Sequence, residues 1–473
     1  MTSPKSDSPE ARGLALLAVG TEAMKEAVER YLASPIFRAA RYEELVLDDN
    51  PYRRPVRPDD LGLVDFATPL RREDFAQLSG LMGHRMLLNI HDTEKLMLPR
   101  DPTAEKWRDY QRFYGRQSRF LGSLIRPYLE SHLFGFVRDE AERSAAETAA
   151  ELTDRSAAEA GARSARAAEL GALVASAQPA DRDAMIDMLA IQADAASLNT
   201  GTRPAAALRN LAGAASLPGV QGEHAGGELL RLVADGSGIK YEPHSYFQYY
   251  LPSTLALMNY ISGAALDPGR VFALAGALLA HSLEAQALED SLERVLAERL
   301  GETLPESRVD RVRDPVDEAG RALAAALGVI ERVGGEFAVR EFSRGLREYT
   351  VLLEVQHEDR MRQFTWIDSM PALADKARRL QTAITEHSID VDLDTFVESW
   401  EECSTTHVHD QDRLLVIESG EMEFWNCFGR RHAYKPGDMT FIPKHRLHGS
   451  VVLSGECVYH QPVITAELDR AFG

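Results

Sequence analysis

The residues best suited to chemistry stand near the C-terminus, in the stretch CSTTHVHDQDRLLVIESGEM at 403–422. His407 and His409 flank a single valine, and in a β-strand residues two apart project from one face. Two imidazoles converging in this way form half of a metal site. The missing ligand is expected from a neighbouring strand, and PGDMTFIPKHRLHG at 436–449 offers His445 and His448. Arg413 has the same strand parity as the two histidines. Two readings of it stay open: it faces inward and holds a substrate carboxylate through paired guanidinium bonds, or it turns outward where the strand twists. Tyr459, in ECVYHQP, likewise either reaches the pocket with its hydroxyl or fills the core.

The elements that must position these side chains follow from the hydrophobic pattern. After about Asp390 short alternating segments appear, among them RLLVIE (413–418), EMEFWN (421–426), DMTFIP (438–443) and GSVVL (449–453), separated by Gly-containing turns. Several short strands at this spacing predict a small β-barrel or sandwich. From Ala11 to about Gln381 the apolar residues instead recur at three and four, as in EAMKEAVERYLA (22–33) and FSRGLREYTVLLEVQ (342–356), which predicts a helical bundle. Two stretches interrupt it. One is the Pro/Arg-rich DDNPYRRPVRPDD at 48–60; the other, the Ala/Glu/Arg-rich run at 141–177, has few bulky apolar residues and reads as a solvated surface helix or an insertion.

Composition narrows the function classes. The 473 residues carry 53 Lys and Arg against 73 Asp and Glu, and the net charge of -20 repels a phosphate backbone, so nucleic acid is not an expected partner. No uninterrupted apolar run of bilayer length is read from the sequence, and the N-terminus lacks an export signal; a cytoplasmic protein without a membrane role is expected. Cys403, Cys427 and Cys457 are an odd set without CxxC spacing and read as small buried hydrophobes.

The order HxH, Gly-containing turn, PGD, then FIPxxxxHG resembles the two sequence motifs of the cupin superfamily: His407-Val408-His409 with Gly420, then Pro436-Gly437-Asp438 with Pro443 and His448. The resemblance makes His448 the third ligand and leaves His445 as a surface or loop residue. Cupins usually place a glutamate four residues after the second histidine, and here that position is Arg413. A neutral three-histidine set is therefore expected, suited to one mononuclear iron(II), with zinc, manganese or nickel as other occupants.

A longer resemblance covers nearly the whole chain. NPYRR (50–54), RPYLESHLFGF (126–136), YFQYYL (246–251), RGLREYTVLLE (344–354), TWID (365–368) and ECVY (456–459) stand in the order found in the N-nitrosourea synthases of streptozotocin biosynthesis, which join a haem-oxygenase-like di-iron domain to a C-terminal cupin. That resemblance implies a helical N-terminal dimerisation region at 1–125, a haem-oxygenase-like helical domain at 126–385 and a cupin at 390–473. In the family the helical domain hydroxylates guanidine nitrogens of a methylated arginine, and the iron cupin then rearranges the product with O2 into an N-nitroso unit.

The cupin ligands carry over and the di-iron ligands largely do not. The family's first glutamate falls in ASLNTGT (196–202), without a carboxylate or histidine, and the next pair falls in 217–228, where Glu223 and His224 have the wrong spacing. A fourth falls near His281 and Glu284. The last helix offers Asp310, Asp314 and Asp317, read as an acidic N-terminal turn around Pro315. The expected function is thus an iron(II)- and O2-dependent cupin that forms or rearranges an N–N bond. Its substrate would be an amino-acid derivative already N-hydroxylated by a separate enzyme, its product an N-nitroso compound or diazeniumdiolate, and its assembly a homodimer. Two alternatives stand beside it: a cupin dioxygenase or isomerase acting on carbon, and a non-catalytic dimeric scaffold or sensor with a ligand-binding cupin.

Overall fold

The computed structural model describes residues 21–38, 50–56, 68–95, 97–98, 103–142, 149–200, 208, 228–239, 244–301, 315–400 and 402–473. Among them the chain is helical first and β second. The helices are α1 (Thr21–Leu32), α2 (Leu78–Asp92), α3 (Ala104–Phe113), α4 (Arg116–Glu142), α5 (Ala149–Ser176), α6 (Pro179–Thr200), α7 (Glu228–Gly236), α8 (Pro252–Leu266), α9 (Val271–Leu300) and α10 (Pro315–Glu386), with a short α11 (Ala466–Phe472) closing the chain. A two-residue parallel pair, β1 (Phe37–Arg38) and β2 (Arg54–Pro55), lies in the N-terminal part.

The longest helix is the spine of the molecule. Pro315 opens α10 at a position where its missing N–H costs no helical bond, and Asp317 lies in the first acidic turn, as the sequence predicts. Glu223, His224, Asp310 and Asp314 fall outside the described residues. At Gly335 (φ 60°, ψ -152°) the helix kinks, a conformation glycine adopts without penalty. Beyond the kink α10 crosses α9 so closely that a Cβ on Gly345 would stand 2.0 Å from the Ala273 carbonyl oxygen. It then continues across the β region, carrying Gln363 and Trp366 to the candidate site.

One feature differs from expectation. The Ala-rich run does form a helix, α5, but Leu152, Ala160, Ala167, Leu170 and Val174 bury one face of it in the bundle, so it is a packed core element. Small alanines suffice there because they admit close helix approach. The stretch Pro268–Leu300 contains no uninterrupted apolar run of bilayer length, but it is, by length and mean hydropathy, apolar enough to cross a membrane. Its most apolar window is 56% buried inside the bundle, with Ala273 to His281 in the core.

The β region is a sandwich of two antiparallel four-stranded sheets, ordered β3-β10-β5-β8 and β4-β9-β6-β7, a cupin-like arrangement. Its strands are β3 (Thr395–Ser399), β4 (Cys403–His407), β5 (Arg413–Ser419), β6 (Met422–Cys427), β7 (Arg430–Tyr434), β8 (Met439–Ile442), β9 (His448–Val452) and β10 (Glu456–His460). Strand alternation sorts the residues. On β5, Leu415 and Ile417 point into the sandwich with Met422, Phe424, Ile442 and Tyr459, while Leu414 packs outward with Phe441 against Ala377 and Leu380 of α10. The outer face of the second sheet joins the helical core through Cys403, Trp425, Cys427 and Val451. All three cysteines are buried, as expected, and none is in a disulfide.

Candidate metal centre

His407 ends β4, His409 lies just beyond it, and His448 begins β9, directly opposite His407 in the ladder. The register of β4 against β9 shifts between Ser404 and His407, a bulge that re-aims the end of the strand. His409 therefore reaches the site from outside the strand. The three rings nonetheless converge: their centroids are 4.5 to 4.9 Å apart, and one ligand nitrogen from each lies within 4.8 Å of the others. Among the described residues no other group of three or more His, Cys, Asp or Glu converges in this way.

Backbone carbonyls set the tautomers. His407 Nδ1–H donates to Thr405 O (2.9 Å) and His448 Nδ1–H donates to Arg446 O (2.8 Å), which leaves each Nε2 as a lone-pair donor. The Nε2 atoms of His409 and His448 are buried without a hydrogen-bond partner among the described residues. Burial pushes both imidazoles well below the ordinary histidine range, and the nearby His407 and Arg413 push in the same direction. Neutral imidazoles with orphaned, inward nitrogens are what a divalent metal requires, so the residues present fit one. The donor set does not select among metals.

The remaining candidates are placed as follows. Arg413 pairs with Ile442 across the ladder and shares the inward side of β5, but its guanidinium already bonds the Asp394 carboxylate and Gln461 O (3.0 Å). Tyr459 is buried in the sandwich filling and stacks on Phe396 at 5.2 Å. His445 is a loop residue but not a surface one: it is buried, adopts φ 60°, and its N–H donates to His409 O at 2.8 Å. That bond ties the loop before β9 to the second ligand, and histidine is among the residues that tolerate this left-handed conformation.

Sequence reasoning missed how far the helical region holds the ligands. Thr406, beside His407, is gripped from two helical elements. Arg85 of α2 donates to Thr406 O (2.7 Å) and Oγ1 (2.8 Å), and Gln248 Oε1 accepts from Thr406 N (2.9 Å). Gln363 of α10 does the same for His448: its amide donates to Leu447 O (2.9 Å) and Asn426 O (2.7 Å), and its oxygen accepts from Leu447 N (2.9 Å). Trp366, one turn on, meets the His448 ring edge-on at 6.0 Å, and Phe424 stacks on it from the other strand at 5.5 Å. Gln248 and Trp366 lie within YFQYYL and TWID, which is the only signal the sequence carried.

Because these bonds orient the strands that carry the ligands, Arg85→Met is expected to weaken metal binding about 10- to 100-fold, the usual cost of losing an outer-shell partner. Competition against a metal chelator measures it. Unchanged affinity would show that β4 holds its own geometry.

A cleft of about 840 Å³ opens beside the centre, walled by Trp366, Phe441, Lys444, His445 and Arg446, with Arg362 at its edge. Trp366 is thus shared between this cleft and the surroundings of His448.

No family model matches the chain. It is 28% identical over 453 residues to nitrosourea synthase of Streptomyces achromogenes subsp. streptozoticus, an alignment that covers 92% of this chain and 94% of that protein. The chain is therefore a distant homologue of nitrosourea synthase, related to it at the level of the family.

Proposed function

We propose that the β domain is an iron(II)- and O2-dependent cupin that forms or rearranges an N–N bond in an N-hydroxylated amino-acid derivative, giving an N-nitroso or diazeniumdiolate product. The observation that carries this reading is the cluster of three converging imidazoles in a chain homologous over nine-tenths of its length to an enzyme named for making a nitrosourea. When bound, iron(II) supplies Lewis-acid and one-electron chemistry with O2.

The chain's own groups do the rest. The carbonyls of Thr405 and Arg446 hold the Nδ1 protons of His407 and His448, so these ligands keep their lone pairs on Nε2. Trp366 and Phe424 shield His448 from water. Arg413 orients a substrate carboxylate by exchanging it for that of Asp394, and Tyr459 closes the apolar side. The cationic side chains of Arg362, Lys444 and Arg446 make the adjoining cleft the approach for an anionic small molecule in a chain whose net charge is -20.

The proposal includes a separate N-hydroxylase, since His281 and Glu284 are engaged in protein bonds and not with each other: His281 Nδ1 meets Tyr349 Oη at 3.0 Å, and Glu284 meets Arg166 at 3.1 Å. It also retains the division 1–125, 126–385 and 390–473, a homodimer and a cytoplasmic setting.

The test is anaerobic loading with iron(II), followed by exposure to O2 and N-hydroxylated amino acids or guanidines. Substrate-dependent O2 uptake with an N–N product in the mass spectrum is expected. Uptake without nitrogen chemistry would move the assignment to a carbon dioxygenase, and ligand binding without uptake would move it to a sensor.

A further inference from the structure

Inside the helical bundle α6, α9 and α10 enclose a cavity of about 30 Å³, lined by Gln192, Ala193, His281, Glu284, Gln356 and Arg360. It exceeds the 10–15 Å³ that a single water needs. Its charge is unusual. Arg360 is only 9% exposed, and its guanidinium makes no hydrogen bond or ion pair among the described residues. Burial pushes the Arg360 guanidinium down to about 10, against the partial support of Glu284 and Asp359.

Neither carboxylate is available to it. Glu284 is drawn to Arg166 (3.1 Å) and Arg163 (3.7 Å), and Asp359 to Arg446 (3.6 Å) and the backbone N–H of Ser253 (3.3 Å). Three guanidinium groups, those of Arg163, Arg166 and Arg360, thus share the field of one mostly buried carboxylate. Leaving a buried charge uncompensated is strongly unfavourable, and an anion of matching shape removes that cost. A guanidinium presents its N–H groups as a planar fork, which suits a carboxylate. Glu284 and Gln356 also line the cavity, whose small volume favours a compact anion over a phosphate. The same positive field opposes a divalent cation in this cavity.

We propose that this cavity is a binding site for a small monocarboxylate, held by Arg360. The site is independent of the histidine cluster and of any reaction there.

Thermal unfolding of the full chain tests it, with chloride exchanged for acetate at constant ionic strength. Acetate should raise the midpoint saturably, phosphate should not, and Arg360→Met should weaken the acetate response at least tenfold. Ala193→Val, which fills the cavity and leaves Arg360 in place, should abolish the response too, and it decides the matter if Arg360→Met does not fold. No midpoint shift in the wild-type chain, an equal shift with phosphate, or an acetate response that survives either substitution would overturn the proposal.

Discussion

A chain carrying His407→Ala and His409→Ala together is expected to bind no iron(II) in its β domain, and the unsubstituted chain is expected to bind one per molecule. Two of three imidazoles are removed, and the remaining His448 cannot hold a divalent ion against water. The fold should survive. The Nε2 of His409 has no hydrogen-bond partner among the described residues, and the bond of His407 to Thr405 O contributes only about 0.5–1.5 kcal/mol. Elemental analysis after anaerobic loading and washing reads the stoichiometry, with circular dichroism as the control for folding. Any oxidation of substrate should fall to background with the metal. If about two ions per chain survive the substitutions, the helical region holds metal of its own, and the assignment of hydroxylation to a separate enzyme fails.

The second large effect concerns stability. Asp92, at the end of α2, is fully buried and is bonded by Arg54 (2.8 Å), by His244 Nε2 (2.9 Å) and by Lys95 (3.1 Å). Burial opposes its ionisation, but His244, Lys95 and Arg54 outweigh burial and hold the carboxyl well below the usual range. Asp92→Ala leaves Arg54, itself buried, without its counter-charge, and should cost about 3–5 kcal/mol.

The pH dependence has a definite sign. The folded pKa lies below the unfolded value of 3.8, so the unfolded chain binds more protons in acid. The contribution of Asp92 is fully present above the unfolded value and is lost as pH falls through the folded one. Urea midpoints of the two chains should therefore differ most at neutral pH and converge below about pH 4, by the same linkage. A difference under about 1 kcal/mol at pH 7, the level of an exposed pair, would mean that the network relaxes around the missing carboxylate.

Asp92 and Arg85 both belong to α2, so the helix that anchors the N-terminal part also grips the strand bearing His407. This explains why the histidine cluster sits at the end of a long helical chain: its strands are not free-standing. Thr406 and Leu447, each next to a ligand, find their polar partners on helical elements. A sandwich cut from the chain would leave those groups unsatisfied.

The histidine cluster was legible from the sequence. His407 and His409 stand two apart, a spacing read from strand period although His409 lies just past the strand, and the choice of His448 over His445 came from the cupin resemblance. Parity left the side of Arg413 open, whereas the burial of Cys403, Cys427 and Cys457 followed from residue type. The edge strand β3, half exposed and carrying a glutamate, and the Arg-rich β7 gave no alternating apolar signal and passed unread.

The rest depended on groups brought together from far apart in the chain. Arg85 and Thr406 are separated by 321 residues, Gln248 and Thr406 by 158, and Gln363 and Leu447 by 84. Burial of His445 and the capture of Arg413 by Asp394 are of the same kind. Periodicity reports which face of an element is apolar, because the pattern is repeated within that element. A single buried hydrogen bond between two elements repeats nothing, so its donor and acceptor are recognised only when the packed helices and sheets have set them side by side.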